Sequence, residues 1–246
     1  MSLLRLELIR LLRTHRLWIL IGVFGFFGLV GPLTARYLPE IVARFGGGVE
    51  VAVPPPTPEL AMAQYLGNAL QIGILAVAFV AAASLAFDAR LEMAVFLRTR
   101  ARVRDIVAPR YLVNMLAAAV TFIGGSAVAF VGTVALIDAP DVGGTVLGTL
   151  LVSLYLCFSV ALTGLLAGVM RSVPGVALVT VGALIALGIV GLVPALAPWL
   201  PSQLVGAYDA LIAGGPFEYS RAVASTIVLG GAAIAGSVAL LARREV

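Results

Sequence analysis

At 246 residues, 61% hydrophobic and 11% charged, the chain is too apolar for a soluble domain, in which charged residues make up roughly a quarter of the total. Its 16 basic residues are all arginine, which excludes a G-x-x-x-x-G-K-[ST] phosphate loop and with it an ATPase site of that class, since the lysine of that loop reaches the β and γ phosphates. One cysteine, Cys157, and one histidine, His15, leave no parts for a disulfide framework, a cysteine zinc site, a histidine-pair metal site or a Ser/His/Asp triad, so no catalytic residue, metal or bound cofactor is expected.

Residues 2–16 set Leu3, Leu4, Leu6, Leu8, Ile9, Leu11 and Leu12 among Arg5, Arg10, Arg13 and Arg16. This mix suits a helix lying in the membrane interface and leading, as an elbow, into the first span. A secretory signal is the competing reading of a basic start before the apolar run Leu17 to Leu33. The run is long for a signal, ends in Gly31-Pro32 and offers only a weak small-residue site at Thr34-Ala35, so it reads as a retained span.

Crossing the hydrocarbon core takes about 20 apolar residues. Six charge-free runs meet this requirement and predict helices near 17–35, 60–86, 111–137, 142–170, 173–193 and 222–242, an all-α integral membrane protein forming a single transmembrane domain over 1–246. No charged residue is buried in this assignment. Between spans one and two, Gly46-Gly47-Gly48 and Pro54-Pro55-Pro56 end any helix begun at Tyr37 near Phe45. Between spans five and six, Pro194, Pro198, Pro201 and Pro216 punctuate a stretch suited to short interfacial or re-entrant helices, with Trp199 and Tyr208 as interface anchors and no seventh span.

Thirteen arginines fall on the side of both termini, against Arg36, Arg44 and Arg221 on the other. The positive-inside rule then predicts cytoplasmic termini for a multi-pass protein of the cell membrane. The largest charge concentration is the loop 88–110, with nine charged residues and arginines at every second position from Arg98 to Arg104. Two readings stand side by side: a topological anchor, or a docking element for a soluble partner.

PLTARYLPEIV at Pro32 to Val42, PPPTPELAMAQYLGNALQIG at Pro54 to Gly73 and the basic loop together resemble the membrane-spanning permease subunits of type-2 ATP-binding-cassette exporters. In that family the loop after span two often reads T-[KR]-P-V-S-R, then an aliphatic run ending in Gly-Lys. Here Leu97, Thr99 and Arg100 correspond to its start, Asp105, Ile106 and Val107 to the aliphatic run, and Pro109-Arg110 replace Gly-Lys; the family's proline and serine are missing. The resemblance implies an N-terminal interfacial helix, a cytoplasmic coupling helix and a broken outer segment before helix six. It further implies coupling contacts from Phe96, Leu97, Arg98, Arg100, Arg102, Arg104, Asp105 and Ile106 to a separate ATPase subunit. Two such subunits, carrying ATP and Mg, would work with a second permease, the same or a related chain, in membrane lipid and without nucleic acid. Arginines at alternate positions share one face only on an extended backbone; on a helix they spread around it.

Gln64, Asn68 and Gln71 form one helical stripe on span two, and Tyr155, Ser159 and Thr163 another on span four. Each stripe reads either as helix-packing polarity, with hydroxyls bonding back to their own helix, or as the lining of a substrate path. Gly144 with Gly148 and Gly164 with Gly168 match a small-xxx-small packing spacing that this glycine content also produces by chance. A secondary transporter, or another polytopic membrane protein without an ATPase partner, is the alternative to an exporter subunit. It lacks the intramembrane acid or histidine that usually carries a coupling ion.

Overall fold

The computed structural model describes residues 3–45, 55–86 and 103–243. Over these residues it is all-α: α1 (Leu3–Arg13), α2 (Arg16–Phe45), α3 (Pro58–Leu85), α4 (Val103–Leu136), α5 (Val142–Val169), α6 (Val173–Val190), a 3₁₀ turn (Ala197–Trp199), α7 (Gln203–Ile212) and α8 (Ser220–Arg243). Six of them, α2 to α6 and α8, are long and apolar enough to cross a membrane. At ten residues, α7 is too short to be a seventh.

Polar residues at the helix starts set three of these boundaries. The Thr57 hydroxyl accepts from the Leu60 N–H at 3.2 Å with Pro58 opening the first turn, the Asp141 carboxylate accepts from the Gly144 N–H, and the Ser172 hydroxyl accepts from the Gly175 N–H at 3.3 Å. Each satisfies an amide that a helix N-terminus leaves open. Between α1 and α2 the chain breaks at His15, exposed and at φ 57°, in the left-handed region where a few polar residues are tolerated.

Two boundaries depart from the sequence expectation. Instead of ending at 35, the first spanning helix runs without interruption through Pro32 and Pro39 to Phe45. Each proline withholds one backbone donor. Gly132 faces the Pro32 ring across the α2–α4 seam, where a Cβ would stand 3.2 Å from it. The third span starts at Val103, not 111, and carries Asp105, Pro109 and Arg110 within its first turns.

Glycines set how closely the long helices approach. On the α2–α4 seam, a Cβ on Gly125 would lie 2.6 Å from the Phe24 carbonyl oxygen. All four glycines of the two spaced pairs on α5 serve as contact points. A Cβ on Gly144 would meet the Leu211 backbone, one on Gly148 would lie 3.0 Å from the Tyr208 Cα, one on Gly164 would meet the Tyr111 hydroxyl, and one on Gly168 would lie 3.2 Å from the Leu240 Cβ. Thus α5 receives α7 at its start, α4 towards its far end and α8 along its length, while α3 touches α2, α4, α5 and α6.

Candidate functional site

Where the chain leaves α3 and re-enters at α4, a charged residue is buried. Arg110 is only 4% exposed, its Nε donating to Glu7 Oε1 of α1 at 3.0 Å and its Nη1 to the Ser84 carbonyl of α3 at 2.9 Å. One guanidinium therefore joins three helices. The expectation that no charge would be buried is corrected at this residue, and the physical reason is the partner: a buried cation persists when an anion and hydrogen bonds compensate its lost hydration. Asn114, one turn further along, donates to the Arg110 carbonyl at 2.7 Å.

The sequence did carry a signal for this contact. Glu7 is the one acid among the four arginines of residues 2–16, and it shares the inner face of α1 with buried Leu11, four residues on. The other face of α1 exposes Leu4, Leu8 and Leu12, as befits a helix lying against lipid.

Of the expected coupling residues, Phe96, Leu97, Arg98, Arg100 and Arg102 lie outside the described residues. Arg104 and Asp105 are exposed on the first turn of α4. Ile106 is buried, next to Val107, inside the chain's own core.

The two polar stripes are placed differently. On α3, Gln64 and Asn68 are half-exposed and Gln71 exposed, continuing into exposed Leu75 and Phe79 on the same face. Among the described residues none of the three amides has a hydrogen-bond partner. On α5, Ser159 and Thr163 are fully buried, and their hydroxyls donate to the Leu156 and Ser159 carbonyls, both at 2.7 Å. Tyr155 is buried with Leu151, Phe158 and Leu204.

At the opposite end from Arg110, hydroxyls replace charges. The Tyr65 hydroxyl donates to the Phe122 carbonyl at 3.2 Å and accepts from Ser126 at 3.4 Å, with its ring stacked on Phe122. Tyr208, expected as an interface anchor, is instead fully buried against Gly148, because a glycine there leaves room for its ring. Its hydroxyl lies beside Ser126 and Thr149 and completes a hydrogen bond with neither. Trp199 remains exposed, with the Arg221 guanidinium 5.6 Å above its ring.

Among the described residues no three His, Cys, Asp or Glu side chains gather at one point. Compared with known proteins, the chain matches no family model, no curated protein and no solved structure. Length and hydropathy of its helices make it a six-helix polytopic membrane protein.

Proposed function

We propose that the chain is the membrane-spanning permease subunit of an ATP-driven exporter of the type-2 ATP-binding-cassette kind. Hydrolysis belongs to a separate ATPase subunit that docks on the loop 88–110 at the cytoplasmic side. The observation that carries this reading is the Arg110 clamp. A loop that receives mechanical work must be tied rigidly to the helices it moves, and Arg110 fastens the last turn of α3, the first turns of α4 and the interfacial α1 into one unit at the base of that loop. A loop serving only as a topological anchor needs charge, but no such fastening.

The open face of α3 supports the same reading. Unpaired amides facing lipid are costly, so Gln64, Asn68 and Gln71 fit a surface covered by a second permease or lining a wet substrate path between the two. Against ion-coupled transport stands the position of Arg110. It is the one charged side chain buried among the described residues, and it sits at a helix start with a structural partner rather than at mid-membrane.

The test is purification of the tagged chain from its native membrane, followed by ATP-dependent flux in vesicles over a compound panel. A nucleotide-hydrolysing subunit in the complex and flux that stops without ATP are the expected results. A chain that purifies without such a partner and moves substrates independently of ATP overturns the proposal.

A further inference from the structure

At the end of the bundle opposite Arg110, a pocket of about 270 Å³ opens between the 3₁₀ turn, α7 and the segment leading into α8. Pro198, Ala210 and Pro216 contribute an apolar wall, Gln203, Glu218 and Tyr219 the polar groups, and no basic residue among the described residues lines it. The chain itself fixes this shape. Gly214, at φ 79°, and the Gly215 N–H, donating to the Ala210 carbonyl at 2.9 Å, close α7 in a tight turn, while Phe217 packs edge-on against Tyr219 with centroids 6.1 Å apart. Arg221, close by in the chain, is engaged over the Trp199 ring. Among the described residues Glu218 has no ion pair or hydrogen bond, and neither the Gln203 amide nor the Tyr219 hydroxyl has a hydrogen-bond partner. Burial, and then the charge of Glu218, push the Tyr219 hydroxyl up, so it stays protonated within the field of that carboxylate.

One carboxylate and two neutral acceptors, set against prolines and an aromatic ring, call for positive charge carried on carbon. A hard divalent metal ion does not fit this description, because calcium takes about six to eight oxygen ligands and gains nothing from the apolar wall. An organic ammonium group uses every part. The carboxylate balances its charge, the tyrosine ring attracts it, and the proline wall covers its methyl or methylene groups. The volume holds about nine water-sized groups at ~30 Å³ each, which limits the occupant to the size of a lipid headgroup or a small amine. We infer that this pocket binds a small organic ammonium group, carried by a lipid headgroup or by a water-soluble amine. Exposed Trp199 and Phe217, next in the chain to Pro198 and Glu218, suit the level at which aromatic side chains meet headgroups. The site does not depend on the transport reading.

The probe is choline, compared with the uncharged alcohol in which carbon replaces its nitrogen. Binding to the full chain in phosphatidylglycerol nanodiscs is read by saturation-transfer NMR of the methyl protons, with empty nanodiscs as the baseline. Choline saturates, and the alcohol binds about fivefold more weakly. Glu218→Gln weakens choline about fivefold, and Ala210→Phe, which fills the pocket from α7, about tenfold. Glu59→Gln removes an exposed acid from the start of α3, at the same end of the bundle, and leaves binding unchanged. Because Glu218 makes no contact that holds the fold, Glu218→Gln keeps the wild-type melting temperature. Phosphatidylcholine nanodiscs separate the two sources: choline binding falls there if headgroups occupy the pocket, and is equal in both lipids if the natural occupant is a soluble amine. The inference is overturned if choline does not saturate, if the alcohol binds as well as choline, or if Glu218→Gln has no more effect than Glu59→Gln.

Discussion

The two ends of the helix bundle are held by different chemistry. At the end carrying the N-terminal helix, a buried guanidinium is pinned between a carboxylate and a backbone carbonyl, while at the other, neutral hydroxyls meet across glycine-lined seams and one of them lacks a partner. A buried charge pair is intolerant: remove one member and the other is stranded in a medium that cannot solvate it. Hydroxyls exchange partners at small cost. The first arrangement resists rearrangement, and the second permits it.

Breaking the clamp produces the largest expected effect. Arg110→Ala opens a void between α1, α3 and α4 and leaves Glu7 only Arg10, at 3.5 Å, as a charge partner, which destabilises the protein by about 1–3 kcal/mol, read as a fall in melting temperature in detergent. Glu7→Leu combined with Arg110→Met removes both charges, and recovers most of that loss because a well-packed apolar pair is often as stable as the ion pair. A double variant as unstable as the single one would mean that the Ser84 carbonyl, not Glu7, is the partner that matters.

Next come the seams. Gly125→Ala places a methyl 2.6 Å from the Phe24 carbonyl and 2.8 Å from the Tyr65 hydroxyl, so α2 and α4 must part, at a cost of about 1–3 kcal/mol. Gly124→Ala, one residue earlier, meets nothing within 4 Å and leaves the melting temperature unchanged or raises it. Equal effects at the two positions would show that helix propensity, rather than the seam, decides.

A smaller contrast separates two buried tyrosines. Tyr111 donates to Ser237 Oγ at 2.7 Å, so Tyr111→Phe removes a made bond and costs about 0.5–1.5 kcal/mol. Tyr208→Phe removes a hydroxyl that has no partner and is neutral or stabilising in lipid-free detergent. Loss of stability in Tyr208→Phe to match Tyr111→Phe would contradict the unsatisfied state of that hydroxyl.

The smallest effect on stability belongs to the basic loop. Exposed ion pairs contribute about 0–1 kcal/mol each, so Arg98, Arg100, Arg102 and Arg104 changed together to Gln leave the melting temperature nearly unaltered while weakening ATPase association. Leu97→Asp tests docking while keeping the positive charge in place. Ile106→Asp does not, because Ile106 is buried in the chain's own core and a charge there attacks the fold. Normal association in both the arginine set and Leu97→Asp would reduce the loop to a topological anchor.

The six spans were legible because each stretch that must cross hydrocarbon excludes charge, a constraint written locally. Their caps at Thr57, Asp141 and Ser172 are equally local, which is why the starts of α3, α5 and α6 fall within two residues of expectation. Proline misled at α2, since its penalty, a missing donor and a ring–carbonyl clash within the helix, is one that membrane-spanning helices tolerate. The Glu7–Arg110 contact spans 103 positions, and the hydroxyl cluster draws Tyr65, Ser126, Thr149 and Tyr208 from four helices. No periodicity records such meetings. Glycine spacing on α5 was an ambiguous signal that proved structural at all four positions.

The coupling ratio of the reconstituted complex, substrate moved per ATP hydrolysed, tests the account most directly when wild type is compared with the Glu7→Leu, Arg110→Met double variant. On the proposed permease reading the variant folds, associates with the ATPase subunit and supports ATP hydrolysis, yet moves several-fold less substrate per ATP, because the Glu7–Arg110–Ser84 link between α1, α3 and α4 is gone. An unchanged ratio in a variant of unchanged stability would contradict it.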